Sequence, residues 1–267
     1  MGFSYAGSLG GAGAPVIRRF QTGADMYVGQ MVQTALFTGG AGGHVEVADV
    51  ATEAHEDDQP IIGFVVGIAD ESRTYVASSS GAAGYGDKST YTSAQATVAA
   101  NLGTGLTGGG EVDVCLALPM NTLIKAPLYD TVWGTALTEI TETTGDSGGT
   151  TITRSAAQAD IGDNYGTIYC RSGANRGHYR VITDITTTVT TVVVPFPYAI
   201  AAGDVFVQAS CVLGLGGMDL CTAADAIDGD NDLAHWYNVY YHEINLEESG
   251  KEYAVFAFWP QSVESTA

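Results

Sequence analysis

Hydrophobic and polar residues alternate along much of this chain with the two-residue period of β-strands. The pattern is most regular across residues 166–210, where short alternating runs are separated by turn residues. We predict four strands there, at 166–171, 178–184, 189–194 and 205–209. A short meander of this kind closes readily into a small barrel or a two-layer sandwich, so we expect one of these two architectures.

Strand-like runs also lie towards both ends of the chain. In the N-terminal half the predicted strands are 24–34, 60–69 and 111–118. Near the C-terminus we predict a hairpin of two aromatic-rich strands, 236–246 and 252–259, joined by a turn at 248–251. Its aromatic side chains serve either to close the core or to meet a partner protein, and the sequence leaves both interpretations open.

These patterns together predict an all-β protein with little helix. No stretch keeps a 3.6-residue apolar period for long. Helical turns are expected at 155–158 and within 222–234, and residues 95–102 are read as either a strand or a short helix. We predict four parts: a flexible N-terminal arm, a small-barrel β-domain, a β-barrel or sandwich domain, and an acidic loop with the C-terminal hairpin. Their residues are 1–22, 23–125, 126–221 and 222–267.

The charge of the chain narrows the possible partners. Its formal net charge is -20, with 10 Lys and Arg residues among 267. An acidic chain repels a phosphate backbone, so we expect no direct binding to DNA or RNA, and anionic membrane surfaces are disfavoured for the same reason. The sequence also has no run of about 18 apolar residues of the kind that spans a bilayer.

The few basic residues are unevenly distributed. Residues 166–210 carry Arg171, Arg176 and Arg180 against two aspartates, a formal charge of +1, so the rest of the chain carries -21. We therefore predict that the first hairpin of this stretch faces an acidic patch of a neighbouring subunit, the alternative being an ordinary solvated hairpin. Further candidate contacts with a partner lie in the predicted arm, at Arg18, Arg19 and Phe20.

The sequence shows no recognisable catalytic constellation, and we expect a non-enzymatic protein. It lacks GxSxG and HExxH motifs, and its five histidines are scattered. Asp228, Asp230 and Asp232 resemble the start of a calcium loop. However, Leu233 occupies the position of the turn glycine, and Val239 occupies the twelfth position, where a glutamate is expected. We therefore expect no cofactor and keep calcium as the alternative.

The cysteines favour structural roles. Cys115, Cys170, Cys211 and Cys221 form no CxxC pair and have no neighbouring histidine at a metal-binding spacing. Three of them lie in strand-like apolar surroundings, which predicts buried free thiols. Whether Cys211 and Cys221 form a disulfide is left open by the sequence.

Residues 169–204 resemble a module of virion structural proteins from tailed bacteriophages. The shared features are an SGAN-x-G turn at 172–177, an Arg-containing strand that ends in Ile182-Thr183, a Pro195-Phe196 step and a Gly203-Asp204 turn. Residues 23–69 are similar to head-decoration proteins of the same viruses, which have a tulip-like β-domain. This chain has Gly-Ala-Asp at 23–25, where those proteins have Gly-Asp.

The resemblance implies a decoration or cement protein that binds the outer surface of a phage capsid. Its partners would be the major capsid protein and copies of itself, and it would be made in the host cytoplasm and found on the virion. The absence of a long apolar helix argues against the shell protein itself, and the negative charge favours the outer face, because the inner face meets packaged DNA. The alternatives are a tail, neck or fibre component, and an extracellular β-protein that binds carbohydrate or calcium.

Overall fold

The protein is all-β, as the sequence pattern predicts. The computed structural model describes residues 2–11, 13–22, 26–34, 44–48, 61–68, 90–91, 110–129, 137–155, 166–218, 227–228 and 237–260. These residues form strands, turns and connecting segments and contain no helix, so none of them forms a helix able to cross a bilayer. The helical turns predicted at 155–158 and within 222–234 lie almost entirely outside the described residues, and residues 95–102 lie wholly outside them.

Nineteen strands are present in the described residues. The first nine are β1 Ser4–Ser8, β2 Ile17–Thr22, β3 Met26–Tyr27, β4 Met31–Thr34, β5 His44–Val47, β6 Ile61–Ile68, β7 Thr90–Tyr91, β8 Gly110–Leu116 and β9 Thr122–Tyr129. The others are β10 Glu139–Thr141, β11 Thr151–Thr153, β12 Thr167–Cys170, β13 Tyr179–Ile185, β14 Val189–Val192, β15 Val205–Ala209, β16 Gly214–Met218, β17 Ile227–Asp228, β18 Tyr237–Asn245 and β19 Tyr253–Phe258.

The chain divides into two compact units, one built on Met1–Lys125 and the other on Ala126–Ser262. In the first unit, β2, β5, β4, β6 and β8 form a closed barrel in that order. Its core consists of β-branched side chains, which suit the inner face of a pleated sheet: Val32, Val45, Val65, Val112 and Val114. On β8 the exposed side of the alternation is taken by Glu111 and Asp113, so the barrel has an acidic outer face there.

The predicted N-terminal arm contributes two strands. β1 pairs antiparallel with the first half of β9, and β2 lies in the barrel between β5 and β8. The structure differs from the prediction because β2 has a strand partner on each side, which satisfies its backbone N–H and C=O groups. The predicted domain boundary between residues 125 and 126 lies within strand β9, which continues through Pro127 to Tyr129.

The second unit contains the four strands predicted from the most regular part of the sequence. β12, β13 and β14 are successive antiparallel neighbours, but β15 returns to pair with the other side of β12. This order is that of a Greek key, whereas the predicted meander would have placed β15 beside β14. β10 pairs with β15 and β11 with β14, which completes a six-stranded sheet. Its core includes Ile140, Ile152, Ile168, Cys170, Ile182, Val192, Phe196, Ile200 and Phe206.

The two edges of this six-stranded sheet meet, so that it curls into a barrel. The Thr143 N–H donates to the Thr153 carbonyl at 2.8 Å. The buried carboxylate of Glu142 accepts hydrogen bonds from the N–H groups of Thr144 and Gly145, both at 2.8 Å, and of Thr153 at 2.5 Å. These backbone and carboxylate hydrogen bonds join the ends of the two edge strands, β10 and β11, and we call the curled sheet the Greek-key barrel, residues 137–209.

The predicted C-terminal hairpin is confirmed. β18 and β19 pair antiparallel around the turn at 248–251, and β16 adds to the outer side of β18. Tyr241, Phe256 and Phe258 are each no more than 3% exposed, and the Tyr241 hydroxyl donates to the Gly217 carbonyl at 2.9 Å. These three aromatic side chains therefore pack in the interior, which favours the first of the two roles that the sequence left open.

Candidate interaction surface

The SGAN turn has a structural role in the Greek-key barrel. The Ser172 hydroxyl oxygen accepts a hydrogen bond from the Val205 N–H at 2.7 Å. Asn175 is fully buried; its Nδ2 donates to the Tyr198 carbonyl at 2.9 Å, and its Oδ1 accepts from the Tyr198 N–H at 3.0 Å. The turn is thus bound to the segment that leads into β15. Ser172 and Asn175, two residues of the motif that resembles phage proteins, therefore hold this part of the fold together.

Arg171 faces the interior of the second unit. Its side chain is 7% exposed and forms ion pairs with Glu139, at 2.7 Å, and with the fully buried carboxylate of Glu252. Its Nε donates to the Leu246 carbonyl at 2.9 Å. Arg171 therefore joins the Greek-key barrel to the C-terminal hairpin. This geometry removes it from the contact face that the sequence predicted.

The other two arginines of the predicted face also point in different directions. Arg180 lies opposite Ile168, on the inner side of β13, with its guanidinium carbon 5.1 Å from the centroid of the Phe196 ring. Its Nε donates to the Pro195 carbonyl at 2.9 Å. Arg176 is exposed in the turn. The three arginines thus form no common surface, and a contact with a partner remains a prediction chiefly for Arg176.

The three candidate residues of β2 also do not share one exposed surface. Arg19 pairs with Asp113 at 3.0 Å across the outer face of the first barrel. Phe20 packs against the valine core of that barrel. Arg18 is exposed, and its Nη1 donates to the Ile17 carbonyl at 3.0 Å. Because Phe20 points inward, the structure places only the two arginines on the surface.

Asp146 organises the loop between β10 and β11. Its carboxylate accepts hydrogen bonds from the N–H groups of Gly148, Thr150 and Thr151 at 2.7–2.9 Å, and from the two threonine hydroxyls at 3.0–3.1 Å. Burial acts to raise the pKa of Asp146, but these hydrogen bonds outweigh it and hold the pKa well below the usual aspartate range. The carboxylate is therefore a structural anchor and stays ionised at neutral pH.

The candidate calcium ligands are only partly described. Asp228 lies in β17, which pairs parallel with the end of β9, whereas Asp230 and Asp232 lie outside the described residues. Within the described ranges, no three His, Cys, Asp or Glu side chains are grouped as metal ligands. Calcium binding by this segment stays a prediction.

Three of the four cysteines are buried free thiols, as predicted. Burial raises the pKa of all three thiols, and the pKa reaches about 11 for Cys170 and about 12 for Cys211. A thiol with such a pKa is neutral at pH 7 and is a poor nucleophile. Cys221 lies outside the described residues.

A small groove lies between the Greek-key barrel and the C-terminal hairpin, within the second unit. Its volume is about 70 Å³, and it is lined by Thr167, Tyr169, Tyr179, Leu213, Ile244, Asn245, Leu246 and Glu247. Pockets for small-molecule substrates usually measure some 300–1,000 Å³. The groove is therefore too small for such a substrate, and its mostly apolar lining suits a single protruding side chain.

The groove continues into an exposed apolar surface on the outer face of the barrel. Tyr169 and Tyr179 are directly opposite each other on β12 and β13, and the Val193 N–H donates to the Val181 carbonyl. Tyr179 and Val193 are 47% and 56% exposed. We call this surface the outer barrel patch and define it as Tyr169, Tyr179, Val181, Val193 and Leu213.

The sequence contained a signal for this patch. On β13, Tyr179 and Val181 occupy one face and Arg180 and Ile182 the other, so neither face of the strand is purely polar. A strand that buries only one face normally carries polar residues on the other. The apolar residues on this outer face are therefore a sequence signal for a contact surface. The prediction from charge considered only the arginines and did not include them.

Comparisons with known proteins identify no relative. No family model matches the chain, no curated protein matches it, and no solved structure matches it. The resemblance to phage virion proteins therefore depends on the sequence motifs of residues 23–69 and 169–204 and receives no support from these comparisons.

Proposed function

We propose that this chain is a structural protein that works by docking against other protein subunits through the outer barrel patch. The observation that carries the proposal is the patch itself: Tyr179, Val181 and Val193 are neighbours and are 39–56% exposed. Exposed apolar residues that lie together, unlike scattered ones, mark protein–protein contacts. Tyr169, Tyr179 and Val181 lie on the paired strands β12 and β13, so the backbone of this part of the patch is already ordered before a partner binds.

More specifically, we propose a decoration or cement protein on the outer surface of a phage capsid. The motif at 169–204 supports this assignment, and its Ser172, Gly173 and Asn175 have the structural roles that a fold signature requires. The charge of -20 favours the outer face, because the inner face of a capsid meets DNA. The major capsid protein and other copies of this chain are the proposed partners. Binding only the assembled shell would stabilise that shell by mass action.

The test is to locate the protein on virus particles. Antibodies raised against the recombinant chain should label the outside of intact particles from its natural source. Quantitative mass spectrometry of the same particles should give hundreds of copies per particle. Labelling at the tail with a dozen or fewer copies would indicate a tail or neck component instead. The protein's absence from all particles would overturn both assignments and leave only the docking role of the patch.

A further inference from the structure

One end of the Greek-key barrel carries polar side chains that point inward. Arg154 directly follows β11 and continues the inward alternation of Ile152, and Gln208 on β15 does the same after Phe206. β11 and β15 run in the same direction, because four successive antiparallel pairings connect them. The two residues therefore lie at the same end of the barrel. We call this end, with the buried Thr190 of β14, the polar barrel end.

The polar barrel end is buried but incompletely hydrogen bonded. Arg154 is 7% exposed, and its Nη2 donates to the Thr190 hydroxyl oxygen at 2.5 Å. Its Nε and Nη1 have no partner in the part of the chain that the structure describes, and neither has the Gln208 amide, which is 3% exposed. A buried polar group left without a partner loses its hydrogen bonds to water without replacement, and native proteins contain few such groups.

The charge at this end is also uncompensated. Among the described residues, no carboxylate lies within ion-pair distance of Arg154. Glu142 accepts hydrogen bonds from the N–H groups of Thr144, Gly145 and Thr153. Burial lowers the pKa of Arg154, which is the effect expected of a cation removed from water. An arginine is nevertheless always protonated in proteins, so the positive charge persists inside the barrel.

We propose that the polar barrel end binds a small oxyanion of the carboxylate or phosphate class. Arg154 supplies the charge and two donor nitrogens, Nε and Nη1, and the Gln208 amide nitrogen supplies a further donor. Thr190, which accepts a hydrogen bond from Arg154, retains its own hydroxyl proton to donate to the ligand. This site lies inside the barrel, away from the outer barrel patch, and the inference does not depend on the proposed function.

The test uses the thermal unfolding of the full chain at pH 7, with sodium acetate and sodium phosphate as probes and sodium chloride at equal ionic strength as the reference. A ligand that binds only the folded state raises the unfolding midpoint. We expect a saturable rise with at least one of the two probes, which also identifies the class of oxyanion. Arg154→Met should weaken the apparent affinity at least tenfold, and Gln208→Leu severalfold. Arg176→Met, which removes an exposed arginine of the same barrel, should leave it unchanged.

Three results would overturn the proposal. One is a rise no larger with acetate and phosphate than with chloride, which would indicate water or general salt effects. Another is a rise that stays undiminished both in Gln208→Leu and in a single variant of Arg154. That variant is Arg154→Met or, if Arg154→Met does not fold, Arg154→Gln. The third concerns Asp160 and Asp163, the two acidic residues that follow Arg154 most closely in the sequence. A rise that appears only after both are changed to Asn would show that the chain's own carboxylates occupy the site.

Discussion

At the scale of single residues, this acidic chain finds partners for its carboxylates among backbone N–H groups. With 30 acidic and 10 basic residues, most carboxylates cannot pair with a cation. Glu142, Asp146 and Asp204 instead each accept hydrogen bonds from backbone N–H groups of nearby loops. Such charge-assisted hydrogen bonds are stronger than neutral ones, so these three carboxylates fix loop conformations.

Replacing Asp146 with Asn should therefore destabilise the protein in a pH-dependent way. The asparagine amide has the same shape, but its NH₂ group would face the backbone N–H donors of the loop. We expect the free energy of unfolding to fall by about 1–2 kcal/mol at pH 7. Because the folded-state pKa of Asp146 is lowered, its stabilisation is complete above the unfolded value of about 4 and disappears as the pH falls towards the folded value. Urea unfolding between pH 7 and pH 2.5 should show the two proteins converging in acid.

The matched control for this experiment is Asp184→Asn, which changes an exposed carboxylate of β13. It should alter the unfolding free energy little at any pH. A constant difference between Asp146→Asn and the unmodified chain across the whole pH range would show that the carboxylate charge is not what stabilises the loop.

Gly173 and Gly177 allow backbone conformation to be separated from packing. Both have a positive φ, 75° and 88°. An added Cβ at Gly173 would overlap the Asp204 carboxylate, whereas one at Gly177 would meet nothing within 4 Å. Gly177→Ala should cost about 1–2 kcal/mol for the left-handed conformation alone. Gly173→Ala should cost roughly 2–4 kcal/mol, because Asp204 must also move. Equal losses in urea unfolding would contradict this packing role of Gly173.

At the scale of elements, the sequence predicted strands well where the information is local. β12, β13 and β15 each fall within two residues of their predicted bounds, because alternation and turn residues specify them directly. The Greek-key order was not predictable, since it depends on β15 pairing with β12 rather than with its chain neighbour β14. The role of Arg171 was hidden for the same reason, because its partner Glu252 is 81 residues away.

The Arg171–Glu252 pair should be important for joining the barrel to the C-terminal hairpin. Arg171→Met leaves the fully buried carboxylate of Glu252 unpaired, and we expect a loss of about 3–5 kcal/mol. The double variant Arg171→Met with Glu252→Leu should recover part of this loss, because no buried charge then remains. Lys251→Met, which breaks an exposed pair with Glu248, should have little effect.

Equilibrium unfolding of the unmodified chain, Arg171→Met, Glu252→Leu and the double variant measures the coupling between Arg171 and Glu252. A double variant as unstable as the sum of its single variants would show that the two residues act independently. Arg171 would then owe its importance to Glu139 and to the Leu246 carbonyl.

At the scale of the whole molecule, the sequence and the structure predict different kinds of contact. The sequence pointed to arginines facing an acidic neighbour, whereas the structure shows an apolar patch with Arg176 as the exposed arginine of the three. Two copies of a chain with a charge of -20 repel each other. Salt should therefore strengthen self-association through the apolar patch and weaken an ion-paired contact.

We expect self-association of the protein, measured by sedimentation velocity, to strengthen between 0.1 M and 1 M sodium chloride. The screening length falls from about 10 Å to about 3 Å over this range, so repulsion between copies is removed while apolar contact is retained. Val181→Ser with Val193→Ser should weaken association at both salt concentrations, because both side chains lie in the outer barrel patch. Leu215→Ser, which changes a leucine that is 59% exposed outside the patch, should not. Association that weakens with salt and is abolished by Arg176→Glu would instead identify an ion-paired contact, because screening acts directly on the attraction between opposite charges.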